Sequence, residues 1–139
     1  MRVFLDTSCI IAAVLSQTGG SFRIVSEAEV RGITIIVSRY VIREAEKNIL
    51  LKYPECAESL LNIASSFTFV RDPSLRDVKR LSEVVDKDDA PVLGAALLSR
   101  ADALLTLDHR DFIQNIKVQK SFPLLKIMTP GEFIKEYFV

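Results

Sequence analysis

Two cysteines and one histidine in 139 residues leave this chain poor in soft metal ligands. Cys9 and Cys56 stand far apart and belong to no CxxC pair, so neither a disulfide framework nor a zinc site is expected, and a reducing cytoplasm is the expected compartment. Charge of either sign is not in excess, because 18 Lys and Arg balance 18 Asp and Glu. The broad positive field behind non-specific nucleic-acid binding is therefore missing, and a polyanionic partner would have to be held by local basic residues or by metal. No apolar run approaches the roughly 18 residues of a membrane span, so no membrane association is expected. In MRVFLDTSCIIAAVL, Asp6 interrupts the apolar stretch too early for a secretory leader. Repeats, low-complexity tracts and linkers are lacking as well. Residues 1–139 are expected to form one domain, long enough to bury about 68–70% of its unfolded surface without a staple.

What is present is an alternation of short aliphatic runs with longer helical ones. RVFL, ITIIVS, FTFV, ALLTL and LLKIM read as five strands, with RVFL and ALLTL of the buried type. Thr7 or Ser8 is a plausible cap for a helix over CIIAAVLSQ, and Gly32 suits the end of one that buries Phe22, Val25, and Ala28 or Glu29. From Ser38, a helix puts Val41, Ile42, Ala45 and Ile49 on one face with Glu44 on its flank. Another carries Leu75, Val78, Leu81 and Val85 along its buried stripe. The next opens near Asp88 with Pro91 in its first turn, and the last shows Thr129 as cap, Pro130 at N1 and Glu132 at N3. Strands separated by helices predict an α/β fold with a mostly parallel sheet, whose functional crevice lies beyond the carboxyl ends of the strands.

Acids gather at that edge. Asp6 follows the first strand and Asp108 the fourth, where Leu104, Leu105 and Leu107 are expected to be buried. Asp88 and Asp89 begin the helix that returns towards the fourth strand, and Glu44 lies about one turn into the helix after the second. Each also has a plainer reading. Asp6 can cap a helix, one of Asp88 and Asp89 can be a simple N-terminal charge, and Glu46 matches Glu44 by composition. The single histidine, His109, has no spacing partner and reads as a solvated loop residue. Converging carboxylates repel unless something positive neutralises them, and with oxygen ligands alone that is a hard cation, Mg²⁺ or Mn²⁺. Such an ion can orient and activate a water against a phosphodiester.

These segments resemble the PIN domain, including the VapC-type toxin nucleases of prokaryotic toxin–antitoxin pairs. VFLDTSCII resembles the opening strand and first aspartate, SRYVIREAEKNI the segment with the glutamate, and DKDDAPVLGAALLSRADALLTLDHRDF the remaining acidic motifs. The resemblance spans nearly the whole chain, with TLD in place of the frequent Thr-Gly-Asp or Thr-Arg-Asp. It implies a three-layer α/β/α sandwich with a central sheet of about five strands. It also implies Mg²⁺- or Mn²⁺-dependent endoribonuclease activity on single-stranded RNA, often in a homodimer and often with an antitoxin protein. By position it implies a catalytic quartet of Asp6, Glu44, Asp89 and Asp108. Asp6, Asp89 and Asp108 would ligate the metal, and Thr7, Ser8, Asp88 and Asp111 are candidates for support. Asp86 or Asp88 replaces Asp89 if the register slips. Arg39, Arg43 and Arg110 lie near the proposed rim and are candidate RNA contacts, with Lys87, Lys117 and Lys120 further candidates. Two competing expectations are a non-catalytic PIN-like scaffold that binds RNA or protein, and a haloacid-dehalogenase-like phosphatase. The latter needs a second aspartate where Ser8 stands.

Overall fold

The computed structural model describes residues 1–139. Strand β1 (Arg2–Leu5) is the centre of a five-stranded sheet in which every pairing is parallel. Its Val3, Phe4 and Leu5 are all buried, as a continuous apolar run demands when both sheet faces are covered. β2 (Thr34–Ser38) and β3 (Thr68–Val70) extend the sheet on one side, β4 (Ala103–Leu105) and β5 (Lys126–Met128) on the other. The order is β3-β2-β1-β4-β5, so the chain builds one half outward from β1 and then crosses to β4. That reversal of direction opens a crevice between the carboxyl ends of β1 and β4, where no connection covers the sheet edge.

Parallel neighbours need long crossovers, and helices supply them. They are α1 (Thr7–Leu15), α2 (Gly20–Glu27), α3 (Arg39–Lys52), α4 (Ala57–Ala64), α5 (Leu75–Leu81), α6 (Ala90–Leu98), α7 (Ile116–Ser121) and α8 (Pro130–Tyr137). A short 3₁₀ turn at Pro54–Cys56 precedes α4, and a five-residue π-turn at His109–Ile113 follows β4. The helices flank the sheet in the three-layer α/β/α arrangement expected. None is long and apolar enough to cross a membrane alone.

Several local expectations shift. Asp6, not Thr7 or Ser8, caps α1, accepting the Thr7 N–H at 2.7 Å. α2 ends at Glu27 and buries Ser21 and Ile24; Gly32 takes its left-handed φ of 68° in the following turn instead of at the helix end. α6 starts at Ala90 with Asp89 as its N-cap residue, slightly later than Asp88 suggests. Leu75, at the solvent side of a short helix, is 88% exposed, and Leu107, just past the last ladder pair of β4, is 44% exposed. Thr129 caps α8 through the Glu132 N–H, as its motif predicts. Gly94 in α6 lets Pro73 lie against the helix: a Cβ there would stand 2.8 Å from Pro73 Cγ and 3.0 Å from its Cβ.

Candidate metal centre

The crevice is built by the last residues of β1 and β4. Beyond the ladder, the Asp6 N–H still bonds to the Leu105 carbonyl at 3.0 Å, which brings the first aspartate alongside Thr106. Asp6 is a buried acid with three donors: the Thr7 N–H on Oδ1, and on Oδ2 the hydroxyls of Thr106 at 2.7 Å and Ser8 at 3.4 Å. Thr106, completely buried, accepts the Asp108 N–H at 3.0 Å, and Ser8 Oγ accepts the Leu107 N–H at 3.1 Å. Two hydroxyls therefore tie the end of β4 to the first aspartate. Burial pushes the Asp6 carboxyl up and the Asp108 charge adds to it, while bonds from Thr106, Thr7 and Ser8 pull the other way. The neighbouring Cys9 thiol is also raised, by burial and then by Asp6, so it stays protonated.

Asp108 caps the π-turn, its Oδ1 accepting the Asp111 N–H at 2.9 Å. The wide i→i+5 winding closes through Ile113 N–H to Asp108 carbonyl and Gln114 N–H to His109 carbonyl, and it returns Asp111 to the crevice. Carboxylate oxygens of Asp89, Asp108 and Asp111 lie within 4.8 Å of one another. Asp89 is pushed up to about 7, first by burial, then by the charges of Asp108 and Asp111, a hydrogen bond with Asp111, and the charge of Asp6.

Of the three acids in DKDD, Asp89 is the one in this cluster. Asp86 and Asp88 are exposed, Asp86 accepting the Asp88 N–H at 3.1 Å to shape the turn. Glu44 is half-buried on α3 and Glu46 exposed. Glu44 is close enough to the Tyr40 phenol to raise it, together with Asp88, Asp89 and Asp6, although burial is the larger cause there. Thr7 Oγ1 reaches the Val41 carbonyl at 3.4 Å, linking α1 to α3. Arg39, Arg43, Lys87 and Arg110 are exposed, as is His109. None of those cations is spent on an ion pair, since the three pairs are Arg23–Glu27, Arg31–Glu27 and Lys126–Glu136. Lys117 is used elsewhere, its Nζ on the Glu83 carbonyl at 3.1 Å.

The cluster thus has no protein cation to balance it, and its donors are all carboxylate oxygens. That set fits a hard divalent ion, whose charge would offset both the burial and the repulsion that raise Asp89. Two residues at the site carry no obvious sequence signal of their role. Thr106 shows only as a polar break in an apolar run, and Tyr40 only as one aromatic in a helix start.

Comparison with known proteins bears on this geometry. The family model described as PIN domain matches residues 2–110. Among solved structures, the PAE2754 protein of Pyrobaculum aerophilum superposes with a TM-score of 0.69 at 17% identity, covering 97% of this chain and 88% of its own. VapBC2 from Rickettsia felis, solved bound to a DNA fragment from its promoter, gives 0.64 at 19% identity over 91% of this chain and 97% of that one. VapC20 of Mycobacterium tuberculosis, described as a Sarcin-Ricin loop cleaving toxin, gives 0.57 at 11% identity over 77% and 90%. Curated protein sequences yield no match.

Proposed function

Since the chain belongs to the PIN domain family, we propose that it is a divalent-metal-dependent endoribonuclease that hydrolyses phosphodiester bonds of single-stranded RNA, acting as the toxin of a toxin–antitoxin pair. The observation that carries the reading is the unneutralised trio of Asp89, Asp108 and Asp111 at the switch point of a parallel sheet, with Asp6 buried behind it. In this reading Asp6, Asp89 and Asp108 hold Mg²⁺ or Mn²⁺, Asp111 adds a further oxygen, and Glu44 faces the same space from α3. When bound, the ion neutralises charge on the phosphate and lowers the pKa of an attacking water.

The rest of the work falls to the chain's own groups. Thr106 and Ser8 orient the Asp6 carboxylate and fix the end of β4 against it. Asp108 holds Asp111 through its N–H, so the two acids move as one unit. Arg39, Arg43 and Arg110 grip backbone phosphates around the rim, positioning RNA without reading its sequence. With zero net charge, such local contacts make binding selective for strands that fit the crevice.

The exposed Leu15, Leu50, Leu51, Tyr53 and Leu61 lie on α1, α3, its trailing turn and α4, which pack on one another, and offer an apolar surface for a protein partner. The antitoxin is the partner we assign, as VapBC2 from Rickettsia felis and VapBC-1 from Haemophilus influenzae share the fold. With Cys9 and Cys56 both free, the reducing cytoplasm is the compartment we propose.

Cleavage of a labelled single-stranded RNA pool, run with Mn²⁺, with EDTA and with Asp108→Asn in parallel, tests the reading. Cleavage that needs both the metal and Asp108 supports it. Mn²⁺ binding without any cleavage favours a non-catalytic scaffold, and no Mn²⁺ binding removes the metal centre.

A further inference from the structure

We propose that Tyr40 is a positioning residue whose hydroxyl latches the loop carrying Asp89 to the helix carrying Glu44, and thereby sets where that carboxylate stands. The proposal deepens the nuclease reading and rests on it for its consequence, but not for its geometry.

Asp89 reaches the cluster from the loop between α5 and α6, whose own bonds are local. The N–H groups of Asp89 and Ala90 close on the Asp86 carbonyl at 2.9 and 3.0 Å, and Asp86 Oδ1 takes the Asp88 N–H. These bonds fix the shape of the turn without fixing it to the sheet. At the loop's start an outside anchor exists, for Asn115 Nδ2 donates to the Val84 carbonyl at 2.9 Å and Lys117 Nζ to the Glu83 carbonyl. Across residues 85–89, the Tyr40 hydroxyl on the Asp88 carbonyl, at 3.1 Å, is the one hydrogen bond given by a neutral side chain of another element. Asp89 is otherwise held by its own helix, its carbonyl accepting the Val92 and Leu93 N–H groups at 3.1 and 3.0 Å, and by its bond with Asp111, so the Tyr40 hydroxyl is the tie from α3 that opposes an outward push by the charges of Asp108 and Asp111.

Tyr40 is itself held firmly. Its N–H donates to Asp72 Oδ1 at 3.1 Å, and the following N–H, of Val41, to the Ser38 hydroxyl. The residue therefore sits in the first turn of a 14-residue helix with its backbone fixed by two caps. Glu44 is one turn further along α3, so the latch joins the two halves of the acidic set across the crevice. A phenol is protonated at neutral pH in any case, and burial and the surrounding acids raise this one further, so its hydroxyl is a donor there.

The test compares wild type, Tyr40→Phe and Tyr40→Leu by calorimetric titration with Mn²⁺, by metal-free melting, and by RNA cleavage across a range of Mn²⁺ concentrations. Tyr40→Phe should weaken Mn²⁺ binding roughly 10-fold, as losing a group that orients a ligand does. The metal-free melting temperature should hold within about 3 °C, and raised Mn²⁺ should restore cleavage with the KM for RNA unchanged. Wild-type affinity in Tyr40→Phe overturns the proposal, and so does a defect found only in Tyr40→Leu, which would assign the effect to the ring. A loss that excess Mn²⁺ fails to rescue, or a large fall in metal-free melting, overturns it in favour of a purely structural role. If the variants bind Mn²⁺ more weakly but wild type cuts no RNA, the latch stands and the nuclease reading falls. If wild type binds no Mn²⁺, both fall.

Discussion

Replacing Asp89 by asparagine should make the metal-free protein more stable at pH 8 and, in the same stroke, deprive it of stabilisation by Mn²⁺. The carboxyl is pushed up from 3.8 to about 7, so the fold binds its proton more tightly than the unfolded chain does. For a group raised in this direction, the stabilising contribution is full below the ordinary carboxylate range and is lost as pH climbs from about 4 to about 7. Above that window the folded protein carries an ionised Asp89 beside Asp108 and Asp111. Fully desolvated, a rise of this size corresponds to about 4 kcal/mol; Asp89 is only half-buried, and screening by water brings the penalty to about 1–2 kcal/mol. Asparagine keeps the shape and removes the charge. In EDTA at pH 8 the variant should melt about 4–8 °C above wild type, a gain that mostly closes at pH 4.5, where the wild-type carboxyl is protonated in the fold. Millimolar Mn²⁺ should then raise the wild-type melting temperature and leave the variant nearly unmoved. A variant no more stable than wild type at pH 8 without metal would refute the argument that burial and the neighbouring acids penalise an ionised Asp89. Equal Mn²⁺ shifts in the two proteins would refute the role of Asp89 as a ligand.

Two further substitutions probe how the centre is supported. Thr106→Val keeps the volume but strips Asp6 of its shortest hydroxyl bond and leaves the Asp108 N–H without an acceptor. It should cost about 2–3 kcal/mol in urea denaturation and weaken Mn²⁺ binding, and a neutral result would show that Thr106 is only filler. Gly94→Ala should destabilise by about 1–2 kcal/mol despite alanine's better helix propensity, because its Cβ meets the rigid Pro73 ring. An alanine variant as stable as wild type would show that the β3–α5 loop gives way freely.

The three central strands were readable because burial on both sheet faces writes unbroken aliphatic runs, the edge strands β3 and β5 by their short apolar runs although both are largely uncovered, and several helix starts because Ser38 and Thr129 advertise their caps. The positions of Asp6 and Asp108 followed from the same runs, each acid standing where its strand leaves the core. Selecting Asp89 over Asp86 and Asp88 was beyond that logic, since consecutive acids in a turn have no periodicity and only the packing of the loop decides which one faces inward. Asp111 was legible merely as a nearby acid, for its return to the crevice depends on a π-turn, a winding with no propensity signature. Leu75 and Leu107 show the converse failure. Their apolar side chains fit the pattern, but the elements carrying them end too soon to cover them. Tyr40 gave no clue, because its role depends on a carbonyl 48 residues away.

The hydroxyl of Thr106 has a single hydrogen, and that fact sets a polarity for the whole crevice. Because its oxygen receives the Asp108 N–H, its hydrogen is committed to Asp6 Oδ2, while Asp6 Oδ1 is committed to the Thr7 N–H. Each of these bonds, with that of the Ser8 hydroxyl, favours the charged form of Asp6, and together they work against burial and the Asp108 charge, which on balance hold the carboxyl above its ordinary range. Losing any one donor would therefore tip this side chain further towards its neutral form and, at the same time, loosen the end of β4 from the start of α1.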